Sequence, residues 1–178
     1  MAGSLNPTEL TFVKPFYLKM MGLNALGVGE DLWAQLVEIG RAATAPDVGW
    51  MLRTGHWRPV VMGAWFSLAV PSEAIVDNLL SAMRESKGSL TAPPLAAAAT
   101  LVAGRAAVPA MTDYIDFIME PVRRDGSESV VAAAVHHLGE ETGIAVSDHA
   151  RQSFHDLHGV ALRLHQTWRD RDLQDATS

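Results

Sequence analysis

The sequence predicts an all-α chain, built as a short right-handed helical-repeat solenoid of about six to eight helices. Three observations predict it. From His56 to Leu68, HWRPVVMGAWFSL, the apolar residues Trp57, Val60, Val61, Ala64, Trp65 and Leu68 follow the spacing of a single helix face. Glycines and prolines cut the remaining chain into segments of helix length. Helix starts recur near Trp57, Thr91 and Ser127, at intervals of 34 and 36 residues, within the range of helical repeat units. Each start is read as opening a helix–turn–helix pair. Stacked pairs of that kind share a continuous core and expose one broad face.

The elements follow in order. Residues 1–28 are read as an irregular apolar lead-in, because Pro15 sits in the middle of the run Leu10 to Leu23 and Gly22, Gly27 and Gly29 follow; a partly extended path over one end of the core is expected. A helix from Glu30 to Ala43 opens on two acids that suit its positive end. Thr44 or Ala45 caps a short helix, Pro46 to Arg53, which Gly55 ends. The Trp57 helix runs to about Val70 and is read as the centre of the core, defined by Trp57, Val61, Trp65 and Leu68, since each tryptophan can bury roughly 150–250 Å².

Pro71 starts the next helix, with Ile75, Val76, Leu79, Leu80 and Met83 inward, to about Ser86. Thr91, followed by Pro93 and Pro94, opens a small-residue helix through Ala96–Ala99 to Val102. Ala106 to Met119 follows, with Met111, Tyr114, Ile115 and Ile118 on one face. The turn Arg123 to Gly126 leads into a helix from Ser127 to about Glu141. Ser147 opens the last helix, to about Trp168. Its stripe Ala150, Phe154, Leu157, Ala161, Leu164, Trp168 alternates spacings of 4 and 3, close to a coiled-coil seam through which a homo-oligomer could form. Residues 29–169 make one helical-repeat domain, and 170–178 a loose polar tail.

Composition narrows the function classes. The chain has 178 residues, a formal charge of −6 and no cysteine. The acidic balance argues against a nucleic-acid binder and leaves open a basic protein partner. The absence of cysteine removes thiolate chemistry and fits a reducing cytosol. MAGSLNPTELTFVK lacks the basic and apolar regions of a signal peptide. The weakly charged run Leu90 to Val102 is shorter than the ~20 residues a membrane span needs, so no membrane partner is expected.

Motifs of catalysis are missing. Gly22 to Gly29 lacks the strand before it and the Gly-Lys-Ser/Thr after it that a phosphate loop needs, and there is no G-x-S-x-G elbow. His155, His158 and His165 share one helix side, but no H-E-x-x-H or Glu-x-x-His accompanies them, so a polar helix edge is expected and no metal or cofactor. His136 and His137 stand four residues before Glu140 and Glu141, which on a helix makes two structural His–Glu pairs. No catalytic residue is assigned. His56 and Arg58 are expected to serve the entry of the Trp57 helix.

The stretches FVKPFYLKM, DVGWMLRTGHWRP, WRPVVMGAWFSL, SAMRESKGSLTAPPLAAAATLVAG and AAVPAMTDYI resemble a bacterial family, the domain of unknown function numbered six thousand, over roughly residues 12–140. The marks are Trp57-Arg58, Ala64-Trp65, and a serine ending one helix before the small-residue helix. The resemblance implies a HEAT-like helical fold and brings no catalytic residues.

The functional expectation rests on charge. Asp113, Asp116 and Glu120 share one helix side, opposite Met111 and Ile115, and in a stack could adjoin Glu140, Glu141 and Asp148. Such an acidic ridge suits a non-enzymatic interaction module, specifically an immunity-type protein that neutralises a basic partner such as a toxin. The competing expectations are a small-ligand binder or enzyme with a pocket among the tryptophans and histidines, and a homo-oligomeric structural subunit.

Overall fold

Apolar periodicity and local caps set nine α-helices in the computed structural model, which describes residues 6–175, with side chains as far as Asp170. They are α1 (Tyr17–Met20), α2 (Glu30–Gly40), α3 (Ala45–Arg53), α4 (Trp57–Phe66), α5 (Glu73–Glu85), α6 (Ala92–Ala103), α7 (Val108–Ile118), α8 (Ser127–His137) and α9 (Asp148–Asp175). Among the described residues there is no strand. Thr44 forms a capping box with Asp47 at the start of α3, and the Ser72 hydroxyl caps α5 at the Ile75 amide. Each supplies an acceptor to amides that a helix start otherwise leaves unbonded.

The helices pack in three layers. α3, α5 and α7 lie side by side in that order, and α4, α6 and α8 do the same in a second layer. The close pairs are α3 with α4, α5 with α6, and α7 with α8. The recurring starts near Trp57, Thr91 and Ser127 therefore mark the second helix of each pair, not the first. α9 covers α6 and α8, while the lead-in covers α4. The middle layer is thus enclosed on both sides. Every residue from Ala92 to Thr100 is buried, as is every residue from Pro59 to Leu68. A helix apolar all round belongs in such a place. By length and composition the run Ala92–Ile118 would pass for a membrane span. Here it is two helices separated by a 3₁₀ turn at Gly104–Ala107, with α6 wrapped by α4, α5, α8 and α9.

The centre of the core consequently lies at α6 rather than at the Trp57 helix. Val61, Trp65 and Leu68 are fully buried, but Trp57 sits half-buried at the rim. There its ring meets Tyr17 edge-on at 5.5 Å, and the Arg58 guanidinium lies 4.6 Å from the indole. His56 precedes α4 without capping it.

The lead-in is helical in short pieces, not extended: a π-helical turn at Glu9–Val13, then α1, then a 3₁₀ turn at Asn24–Gly27. Phe12, Val13, Phe16 and Met20 are buried, so this segment is part of the core. Phe12 and Phe16 both pack edge-on against Phe66, which also meets Trp168 at 6.1 Å. Two indole N–H groups tie the layers together. Trp65 donates to the Met20 carbonyl at 2.9 Å, and Trp168 to the Val37 carbonyl at 3.0 Å.

Several boundaries differ from the sequence reading: α2 ends at Gly40 rather than Ala43, and α4 at Phe66 rather than near Val70. α8 stops at His137 because Gly139 turns the chain at φ 81°. α9 continues past Arg169 to Asp175, so most of the expected loose tail is helix; residues 176–178, like 1–5 of the lead-in, lie outside the described residues. The α9 stripe from Ala150 to Trp168 is buried within the chain, packed on α6 and α8. That face is not free to join another copy.

Ala97→Leu inserts three heavy atoms where four helices converge. It is expected to lower unfolding stability by about 1–3 kcal/mol, read from urea denaturation. The exposed Ala74→Leu on α5 serves as control and should stay within about 0.5 kcal/mol of the parent.

Candidate functional site

Asp113, Asp116 and Glu120 lie on α7 or just past its end and Glu140 reaches Arg105 just before it, whereas Asp148 starts α9, and these acids are not a bare ridge. Asp113 accepts from Arg84 of α5 at 2.7 Å, Glu120 pairs with Arg123 at 3.1 Å, and Glu140 pairs with Arg105. Asp116 and Glu141 are exposed and have no ion-pair partner among the described residues. Arg105 precedes α7 and Glu120 follows it, so these charges are strung along a helix of about 16 Å rather than gathered. Asp148 is held by Arg151 on its own helix at 3.0 Å.

A more elaborate polar arrangement lies where α7, α8 and the α5–α6 loop meet. It begins with the turn Arg123 to Gly126, in which Gly126 adopts φ 91°. That turn aims Asp125 back across the start of α8. Asp125 Oδ1 accepts from the Ser127 amide at 3.1 Å and from the Ser127 hydroxyl, and Oδ2 accepts from the Ser89 amide at 2.7 Å. A Cβ on Gly88 would come within 2.5 Å of Oδ2, so the carboxylate fits there because residue 88 has no side chain. Burial acts to raise the Asp125 pKa, but the bonds from Ser127 and Ser89 outweigh it and hold the carboxyl below the usual range.

An ionised carboxylate only accepts, so Ser127 donates to Asp125 and Tyr114 must donate to Ser127. Tyr114 is fully buried. Burial raises its pKa, the negative charges of Asp125 and Glu128 add to this, and the phenol keeps its proton. Beside it the buried Glu128 accepts from the Gly126 amide at 2.9 Å and from Arg124 at 3.2 Å. Ser127 therefore starts α8 as a relay rather than as its cap; Gly126 holds the capping position.

This relay forms one wall of a cleft of about 490 Å³. Met21 to Asn24 of the lead-in also line it, as do Ser147, His149 and Ser153 at the start of α9. Sequence reasoning did not single out Asp125, Ser89 or Ser153. The Asp-Gly-Ser turn carried a local signal, since aspartate before a helix start often bonds the following amides. Ser89 and Ser153 carried none.

The tryptophans and histidines do not converge on one pocket. Trp57 lines a separate cavity of about 310 Å³ with Leu52, Val60 and Ala82. Trp65 and Trp168 are buried in the core. His165 Nδ1 donates to the Leu68 carbonyl at 3.0 Å. The two expected His–Glu helix pairs do not form, because α8 ends before Glu140; His136 Nε2 accepts instead from the Thr142 amide at 3.3 Å. His137 and His158 face each other across α8 and α9 at 5.0 Å, with Phe154 stacked on His158 at 5.6 Å. Among the described residues no three of His, Asp and Glu are grouped as a metal set. Comparison with protein-family models, curated proteins and solved structures returned no match.

Two outcomes are expected from this geometry. Ser127→Ala strands the buried Tyr114 hydroxyl and should cost about 1–3 kcal/mol, whereas Tyr114→Phe removes the donor cleanly and should cost about 1 kcal/mol; denaturation of both variants checks the order. Burial, then the nearby His137 and His155, lower the His158 pKa below its usual value. The unfolded chain then binds the proton more readily, so this contribution is complete above about pH 6.5 and is lost as pH falls below it. His158→Phe should flatten the dependence of the urea midpoint on pH in that window.

Proposed function

We propose that the protein is a non-enzymatic recognition module, a short HEAT-like stack of three helix pairs that docks a protein partner on its outer layer. The observation that carries this reading is the packing order. α3, α5 and α7 form one layer, α4, α6 and α8 the next, and the far side of the second layer is already closed by α9 and the lead-in. The broad face left to solvent is the outer one, where α5 and α7 expose Glu73, Asp77, Arg84, Asp113 and Asp116.

Charge supports a basic partner in a reduced form. Five acids along α7 and beyond its ends stand with three arginines and with Lys87, which lies over Phe117 of α7, so the local surplus is one negative charge. Those ion pairs are exposed, and exposed pairs contribute only about 0–1 kcal/mol each. A basic partner can replace an arginine at little cost. An immunity-type neutralisation of a basic partner is the specific form of this proposal, and the cysteine-free composition supports a cytoplasmic setting. An oligomer would need a surface other than the α9 stripe.

The test is a tagged pull-down from native host lysate with bound proteins identified by mass spectrometry, repeated with Asp116→Lys and Glu141→Lys together. Neither residue has an ion pair to break among the described residues. One stoichiometric basic partner is expected, with an association rate about tenfold or more slower for the reversed pair at low salt. A partner bound equally fast by both forms would sink the acidic-face reading.

A further inference from the structure

The cleft beside Asp125 has a chemistry distinct from the outer layer. Its size of about 490 Å³ lies within the range of small-molecule sites. Leu23, Leu90, Pro93 and Val130 give it an apolar side. Five serines, at positions 89, 127, 129, 147 and 153, give most of its polar lining, with Asn24 and His149. Its lining includes the carboxylate of Asp125 and neither lysine nor arginine.

Two features separate this cleft from an ordinary surface hollow. Ser153 is 6% exposed and lines the cleft; its hydroxyl has no hydrogen-bond partner among the described residues and is not sealed from solvent, so it is free to bond a molecule in the cleft. Asp125 is held from behind by Ser127 and Ser89 while remaining exposed on the cleft side. The helix starts of α8 and α9 that open here do not favour an anion. Asp125 and Glu128 already occupy the amides at the first, and Asp148 stands in the first turn of the second.

We propose that this cleft binds a small organic ammonium compound, with its cationic head at Asp125 and its apolar body against Leu23, Leu90, Pro93 and Val130. An ammonium has three donors and no acceptor. It therefore matches a wall of carboxylate and hydroxyl oxygens. A carboxylate ligand of the same length would meet Asp125 with like charge. A neutral alcohol would satisfy the serines but gain nothing from the charge. A metal ion is a poor fit, because the lining supplies one carboxylate where a hard cation takes several oxygen ligands.

The test titrates the full chain with hexylammonium, hexanol and hexanoate at neutral pH, following amide shifts by NMR. Saturable shifts centred on Ser89, Gly126, Ser127 and Ser153 are expected with hexylammonium, weaker ones with hexanol, and none with hexanoate. Asp125→Asn should weaken hexylammonium binding by about tenfold or more, the scale of a lost charge-assisted bond. Because Asp125→Asn also alters the loop it holds, Ser129→Lys provides the second arm. It leaves every bond of Asp125 in place and puts an internal ammonium on the cleft wall, so it should abolish binding of the added one. Equal binding of all three probes would show a merely apolar hollow and overturn the proposal. So would the absence of saturable shifts with hexylammonium, or undiminished binding in Ser129→Lys.

Discussion

Helix α6 sets the spacing of the molecule. α4, α5, α8 and α9 all lie against it, and side chains of one methyl group at Ala96–Ala99 let all four approach. Interaxial distances fall toward the short end of about 8–10 Å when the residues between helices are small. This arrangement divides the energetic roles. A buried alanine removes little apolar surface, whereas a fully buried Leu, Phe or Met stabilises by about 1.5–3 kcal/mol. The large buried side chains accordingly belong to the surrounding helices: Trp65 and Phe66 on α4, Leu79 and Met83 on α5, Phe154 on α9. α6 fixes where those helices stand, and they supply the burial.

The third layer needs a different kind of specification, since apolar contact alone does not fix how a short helix sits. Directional bonds do this. The Trp65 indole holds the carbonyl end of α1, and the Trp168 indole holds the Val37 carbonyl in α2. Each bond is worth only about 0.5–1.5 kcal/mol net, but leaving a buried indole N–H unbonded would cost more. Misplaced registers are therefore penalised more strongly than the correct one is rewarded. Gly40 makes the same point sterically. A Cβ there would stand 2.3 Å from the Trp168 ring, so α2 can lie against α9 only because that residue is glycine.

Helix starts were legible because their signals are local. Thr44 with Asp47, Pro71, and the prolines of α6 and α7 lie within a turn of the boundaries they mark, although at α5 the cap is Ser72, one residue past Pro71. The pairing of helices was not legible, because periodic starts say nothing about whether a helix packs on the one before or the one after. The end of α8 was hidden by two His–Glu spacings that suit a helix, and Gly139 overrode them. The helical turns of the lead-in were hidden because proline ordinarily ends a helix, while the chain uses Pro15 between two short helical turns. The acidic residues of α7 were visible in the sequence, but their partners were not. Arg84 and Asp113 are 29 residues apart, Arg105 and Glu140 35, and Ser89 and Asp125 36. These separations are close to the interval between helix starts. The contacts that neutralise the ridge and shape the cleft are thus contacts between successive pairs, which no local pattern can announce.

That shared origin gives the two surfaces different mechanical characters. On the outer layer the bonds between successive pairs are exposed ion pairs of long, mobile side chains, and water or a partner can exchange them at small cost. At the cleft the bond between successive pairs runs from Tyr114 through Ser127 to Asp125 and the Ser89 amide, and its buried end has no solvent to fall back on. The first surface can adjust to a partner by re-pairing its charges, so its discrimination rests on net field and on approach rate. The second is preformed, so its discrimination rests on matching donors to fixed oxygens. That contrast is the reason for proposing a macromolecule with a broad basic face at the outer layer and a small cation at the cleft.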